Sequence, residues 1–383
     1  MIIGIDGNEA NIKNRVGVGQ YAFNLLKSIY LLDQKNQYII YLKDQPLSDL
    51  PKVRQNWIYK IFGPKKLWTK FALPLHLFTE KTALNLFFSP SHYSPQFAKC
   101  PTIPTIHDLG YLQFKSQFTK KDFYQLTKWT EQSIKKSAHI VTVSNFSKTE
   151  IKKIYHINPE RITIAYNGVE EPLKIDDKKQ KEILSLYDLR SNNYYLYLGT
   201  LKPNKNIPFL IRSFAKFLKT KEITPRPVKG GVGGGFVPKL VIAGKKGWLF
   251  DEIFSTVKQE KIESNVIFTD FIDDNQRTVL YQNAKALIMP SIYEGFGIPV
   301  IEAMKLNTPV ISSNIPPLKE VIENNGFYFD PTNQQELVDQ LLKFEKLNPE
   351  ELKKITDNAK NRADFFTWTN TAKSVISVFE KFV

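Results

Sequence analysis

One feature constrains the fold of this chain more than any other: short strand-like runs alternate with amphipathic stretches from end to end. In the first half the runs fall at 2–6 (IIGID), 38–42, 86–90, 101–108, 140–144 and 161–168. Apolar periodicity close to 3.6 predicts helices between them at 19–32, 64–78, 121–137 and 145–155. A second series of runs follows at 194–200, 239–244, 265–271, 286–291, 309–313 and 326–331. Its helices are predicted at 207–219, 249–261, 275–284, 299–306, 316–323, 334–346, 349–363 and 369–381. Strands separated by helix-length segments pair in parallel, with the helices as crossovers on the sheet faces. At 383 residues the chain exceeds what one core usually supports. The expectation is therefore α/β, with two doubly wound domains over 1–168 and 191–365 and a charged linker over 169–190. Such sheets bind ligands beyond the carboxyl ends of their strands. Two of them with those ends facing would enclose an interdomain cleft.

Charge narrows the partners. Residues 1–170 hold 23 Lys and Arg against 12 Asp and Glu, while the remainder holds 30 against 26. A basic first half suits a phosphorylated substrate or an acidic lipid surface. The basic residues are scattered singly or in pairs, so nucleic acid is not an expected partner. Residues 65–78 (KKLWTKFALPLHLF) mix basic and aromatic side chains in the manner of a membrane-surface segment, although core packing explains the apolar side equally well. With Cys100 the only cysteine, no intrachain disulfide is possible, and a cytoplasmic location is expected. No apolar run approaches the ~20 residues of a membrane-spanning helix. Five scattered histidines give no metal-ligand spacing, so no metal is expected. The Pro- and Gly-rich stretch 224–238 lacks the Gly-Lys-Ser/Thr of a phosphate loop and precedes a strand, so it is taken as a flexible surface insertion with no catalytic role.

Four motifs carry chemistry. In SIYEGFGIPVIEAM (291–304), Glu294 and Glu302 flank a Gly-Phe-Gly turn that leaves an apolar strand and enters a helix at Pro299. The turn lets backbone N–H groups around Phe296, Gly297 and Ile298 approach an anion, and the helix start adds a positive dipole end. Either glutamate alone could simply favour a helix start; the whole arrangement asks for more. In GTLKPNKNIPF (199–209), Lys205 opens a helix beside Asn206 as a plausible cap. A cation there is disfavoured by the helix dipole and asks for a compensating anion such as a diphosphate. Gly17 and Gly19 lie in a pliable loop too far from the first strand for a tight dinucleotide turn. His107 and Asp108 close one strand and Ser144 another, as candidates on the acceptor side; structural hydrogen bonding and helix capping remain open for these three.

Together with YLGTLKPNKN, VSNFSKTEI, AYNGVE and LVIAGKKGW, in that family's order, SIYEGFGIPVIEAM resembles the Glu-x7-Glu segment of family 4 retaining glycosyltransferases of GT-B fold, whose two Rossmann-like domains bind a nucleotide sugar. The resemblance covers nearly the whole chain and fails mainly at 224–238. It implies that Glu302 holds the donor ribose and Glu294 the transferred sugar. Lys205, helped by Gly17 or Gly19, would neutralise the leaving diphosphate, with His107 beside sugar and acceptor. Phe271, Ile272 and Gly244 would lie near the base. Residues 366–383 would cross back to the first domain. Many relatives carry arginine where this chain has Thr200; the Gly-Thr-Leu-x-Pro-x-Lys-Asn variant points to the mannosyl- or rhamnosyl-type branch acting in surface polysaccharide synthesis. GDP-mannose is then the expected donor and a glycan or lipid-linked molecule the acceptor, with no cofactor and with peripheral contact to an anionic membrane. A UDP-sugar glucosyltransferase, a nucleotide-sugar epimerase and a non-catalytic nucleotide-sugar-binding module remain alternatives.

Overall fold

In the computed structural model, which describes residues 1–115, 118–223 and 237–382, the chain divides into two compact units. The insertion expected at 224–238 lies almost wholly outside the described residues. Unit 1 comprises Met1–Glu170 and Phe366–Val383, and unit 2 comprises Glu171–Phe365.

Unit 1 contains β1 (Ile2–Asp6), α1 (Val18–Leu32), β2 (Gln37–Leu42), β3 (Trp57–Ile61), α2 (Ala72–Thr79), β4 (Leu86–Ser89) and β5 (Thr102–Ile106). It continues through α3 (Gly110–Gln113), α4 (Lys120–Lys136), β6 (Ile140–Thr142), α5 (Asn145–Tyr155) and β7 (Ile162–Ile164). Its sheet is parallel throughout, in the order β3-β2-β1-β4-β5-β6-β7. Unit 2 contains α6 (Asp177–Leu186), β8 (Tyr194–Leu198), α7 (Ile207–Ile223), β9 (Lys239–Ala243), α8 (Asp251–Glu260), β10 (Val266–Asp270), α9 (Asp274–Gln282) and β11 (Ala286–Met289). There follow α10 (Ile298–Lys305), β12 (Val310–Ser313), α11 (Pro316–Ile322), β13 (Phe327–Phe329), α12 (Gln334–Phe344) and α13 (Pro349–Ala363). Its sheet is also parallel, ordered β10-β9-β8-β11-β12-β13. The chain ends in α14 (Trp368–Phe379), which joins unit 1. There it packs on α1, with the Trp368 ring 5.8 Å from that of Tyr21, and the Thr371 hydroxyl donates to the Tyr166 carbonyl at 2.6 Å.

Burial explains why the pattern was readable. Every residue of β4, β5, β11 and β12 is buried, as expected of strands covered on both faces, whereas the edge strands β3 and β10 are only partly so. Several elements depart from expectation. The edge strand β3 was not anticipated, although Trp57-Ile58-Tyr59 carries strand-like residues. The expected linker holds a helix, α6, capped by Asp176, whose carboxylate accepts from the Lys179 N–H. A helix over 64–78 was also anticipated, but α2 begins only at Ala72, which leaves Pro74 in the first turn where its missing N–H has no intrahelical partner to lose.

Candidate active site

In both units the strand order reverses once, and at such a point the crossover helices leave to opposite faces and open a crevice above the carboxyl ends. In unit 2 the reversal falls between β8 and β11. Lys205 follows β8 and Glu294 follows β11, so the two sit on either side of that crevice, and their side chains form a direct ion pair. Only 12% and 11% of the two side chains is exposed. Ser291 donates its hydroxyl to the same Glu294 oxygen at 2.7 Å. Asn204 ties the two loops together: its Nδ2 donates to the Tyr293 carbonyl at 3.1 Å and its own carbonyl accepts from the Ile292 N–H at 3.0 Å. The anion that the sequence asked for beside Lys205 is, within the chain itself, Glu294.

Local details correct the sequence picture. Lys205 belongs to a 3-10 turn (Pro203–Lys205), not to the helix proper. Asn206 does not cap α7 with its side chain, which instead donates to the Pro331 carbonyl at 2.8 Å. The helix after the Gly-Phe-Gly turn starts at Ile298, one residue before Pro299. Its N-cap is Gly297, at φ 112°, with no side chain capping the first turn. A Cβ at Gly297 would lie 2.5 Å from Leu318 Cδ2, so the turn closes tightly only with glycine. The Phe296 ring is buried.

Glu302 lies one turn into α10 and accepts from the Tyr281 hydroxyl at 3.0 Å, with Arg277 at 3.7 Å. Tyr281 and Arg277 stand four apart on α9, so one helix face orients the carboxylate. Neither was singled out from sequence, because their only signal is a helical spacing that acquires meaning once α9 is known to lie beside α10. On the other side of β8, the loops after β8 and β9 meet backbone to backbone. A Cβ at Gly244, which has φ 140°, would lie 2.1 Å from the Gly199 carbonyl oxygen. Thr200 is held in this junction, its carbonyl accepting from the Tyr197 hydroxyl at 3.5 Å. Beyond β10, Phe271 is exposed and Ile272 half-buried, a surface on which a planar ring could rest. Glu294, Glu302, Lys205, Thr200, Gly244, Phe271, Ile272, Phe296, Gly297 and Ile298 thus gather along one edge of the unit 2 sheet.

Unit 1 gathers its own set. The reversal lies between β1 and β4. Gly17 is the N-cap of α1 at φ 52°, with nothing within 4 Å of a Cβ placed there, and α1 has no side-chain cap. Gly19 packs closely on the Glu9 carbonyl. The loop is braced by Arg15, whose guanidinium makes a two-point contact with Asp49. His107 ends β5, and its Nε2 donates to the Pro90 carbonyl at 3.1 Å. Burial, with His92 stacked 5.6 Å away, lowers its pKa to about 4. It is neutral near pH 7, so it serves as a hydrogen-bonding group and not as a proton donor of imidazolium type. Asp108 accepts from the Gly110 N–H at 2.8 Å. Ser144 is fully buried and caps α5. Its hydroxyl donates to Ser147, which donates to the His107 carbonyl, so Ser144 supports the site from behind and does not line it.

Asp6 was not singled out from sequence, although an acid closing an apolar strand was visible. It is 5% exposed, and burial raises its pKa to about 6 against two hydrogen bonds from Asn8. A folded-state pKa above the unfolded value favours folding at low pH and withdraws that advantage as pH rises through 6, at a cost of up to about 3 kcal/mol by neutrality. Asp6→Asn keeps the single oxygen that accepts both Asn8 hydrogens. It is expected to raise stability by about 2 kcal/mol at pH 7.5 and very little at pH 4, read by denaturant melts at the two pH values.

Comparison with known proteins identifies the family. The model described as Glycosyl transferases group 1 matches residues 181–362, and Glycosyltransferase Family 4 matches 17–171. The O-antigen chain mannosyltransferase B of Escherichia coli is 23% identical over 95% of this chain and 96% of its own length. The O-antigen chain mannosyltransferase RfbU of Salmonella typhimurium is 30% identical over 67% of this chain and 64% of its own. The structure of Anabaena HepE in complex with UDP-glucose superposes with a TM-score of 0.73 at 15% identity, covering 99% of both chains. With one family model on each unit and this fold likeness, the chain belongs to glycosyltransferase family 4 and is a hexosyltransferase of GT-B fold.

Proposed function

We propose that this enzyme transfers mannose from GDP-mannose, with retention at the anomeric carbon, to a glycan or lipid-linked acceptor in surface polysaccharide synthesis. The observation that carries the reading is the Lys205–Glu294 pair astride the β8/β11 reversal, the place where an anionic nucleotide and its sugar would meet. The two O-antigen mannosyltransferase relatives support mannose as the sugar.

The roles follow from charge. As the bond from the anomeric carbon to the phosphate oxygen breaks, its electron pair passes to the diphosphate. Lys205 and the backbone N–H groups of Gly297 and Ile298 at the start of α10 stabilise that charge, with no metal required. Glu294 holds the sugar hydroxyls and Glu302 the ribose hydroxyls. The acceptor oxygen bonds to the anomeric carbon on the leaving-group side, and its proton passes to the departing phosphate oxygen. No opposed pair of carboxylates at glycosidase spacing enters this scheme.

Incubation with a panel of GDP-mannose, UDP-glucose and a dTDP-sugar, with and without EDTA, tests it. GDP-mannose is expected to be turned over fastest, with the α-anomer as product by NMR and no effect of EDTA. Preference for a UDP-sugar, an inverted product or a need for divalent metal would contradict it. Nucleotide-sugar binding without hydrolysis or transfer would favour a non-catalytic binding module.

A further inference from the structure

We infer that unit 1 holds a sugar-binding subsite between α4 and the loop joining β4 to β5, where one neutral pyranose of the acceptor glycan lies against Trp129. Gln125, Trp129 and Gln132 recur at i, i+4 and i+7, so α4 turns one face to that loop. The loop answers along its length. The Tyr93 ring meets the Trp129 ring edge-on at 5.5 Å, the Ser94 N–H donates to the Ser133 hydroxyl at 3.0 Å, and Gln96 hydrogen-bonds Gln132. A cleft remains between helix and loop, with Trp129, Tyr93, Ser94, Gln96 and Lys70 among its lining residues. Trp129 is half-buried, and the exposed Lys70 places its Nζ 4.7 Å from the centre of the indole ring. That face of the ring is thus covered by a flexible surface side chain and not by core.

Two observations select the ligand. The first is an unmet hydrogen bond: the Ser94 hydroxyl is buried in the cleft wall with no partner among the described residues. Burying a hydroxyl unpaired is costly, and a ligand oxygen would remove that cost. The second is the mixture of groups around Tyr93. Burial pushes its phenol up to about 12, a hydrogen bond with Gln125 opposes the shift, and the nearby carboxylates of Glu9 and Asp122 add to it. Glu9 is itself half-buried, with burial raising its pKa against the attraction of Lys43. It belongs to the loop after β1, so the cleft leads from Trp129 towards the carboxyl edge of the sheet. A phosphate-bearing ligand would meet two carboxylates at that end. A neutral pyranose uses every group present: its C–H face rests on the indole, and its hydroxyls pair with amide, serine, phenol and carboxylate.

The inference names the acceptor class of the function proposed above and rests on that reading for its purpose, while its test does not. Titration of the full chain with α-linked mannotetraose, followed by tryptophan fluorescence and calorimetry, should show binding with a Kd of about 1 mM or tighter. Trp129→Ala should weaken that binding about tenfold or more and abolish the fluorescence change, with the melting temperature unaltered. Gln125→Ala should weaken it several-fold, and it carries the test if Trp129→Ala melts early. Failure of the wild type to bind the tetraose, or full affinity in both variants, would overturn the inference. A chain that turns over a nucleotide sugar but binds the tetraose without Trp129 overturns the subsite alone. One that binds it through Trp129 but turns over no donor overturns the transferase reading alone.

Discussion

Glu294→Gln is expected to lower turnover by about 10²- to 10³-fold, equivalent to roughly 3–4 kcal/mol of transition-state stabilisation. The substitution preserves shape and retains an oxygen that can accept from the Ser291 hydroxyl, so the loop need not move. What it removes is the charge that faces Lys205 and that, as proposed, binds the sugar hydroxyls most strongly when positive charge builds at the anomeric carbon. A purely structural role for the pair makes a different forecast. Leaving one ion of a mostly buried pair without its partner is destabilising, whereas replacing both can be nearly neutral. Stability of Glu294→Gln/Lys205→Met should therefore recover towards wild type while activity stays low. Activity that recovers together with the melting temperature would show that the pair serves only to hold two loops together.

Lys205→Ala should weaken donor binding by tenfold to a hundredfold, the range for a charge-assisted hydrogen bond of about 1.5–3 kcal/mol. The loss should depend on the diphosphate and not on the base, because the exposed Phe271 and the Gly244 junction lie on the far side of β8 from β11. On the proposed function, with threonine and not arginine at position 200, Lys205 would be the side chain on which diphosphate binding chiefly rests.

The legibility of this protein in its sequence followed burial. Strands covered on both faces announce themselves as apolar runs, so β4, β5, β11 and β12 were evident. The boundaries of α5 and α13 were read to the residue, since Ser144 and Asn348 mark their starts chemically. Elements of mixed exposure were lost: β3 is an edge strand with Ile58 and Ile61 open to solvent, and the largely exposed α6 looked like a linker. The site divided in the same way. Glu294 and Glu302 share one local segment whose glycines and proline give the turn away. Their partners are not local. Lys205 meets Glu294 only because β8 and β11 are neighbours in the sheet, and Tyr281 meets Glu302 only because α9 lies against α10. The acid Asp6 was visible, but its burial was not, since that depends on how β1 sits between β2 and β4.

Calorimetric titration of GDP and GMP against the wild type and Lys205→Ala goes straight to the claim that a diphosphate is held beside Lys205 at the carboxyl edge of the second sheet. GDP should bind the wild type at least about tenfold more tightly than GMP, and the gap should close in the variant. Equal affinities in the wild type, or a gap that persists without the lysine, would contradict it.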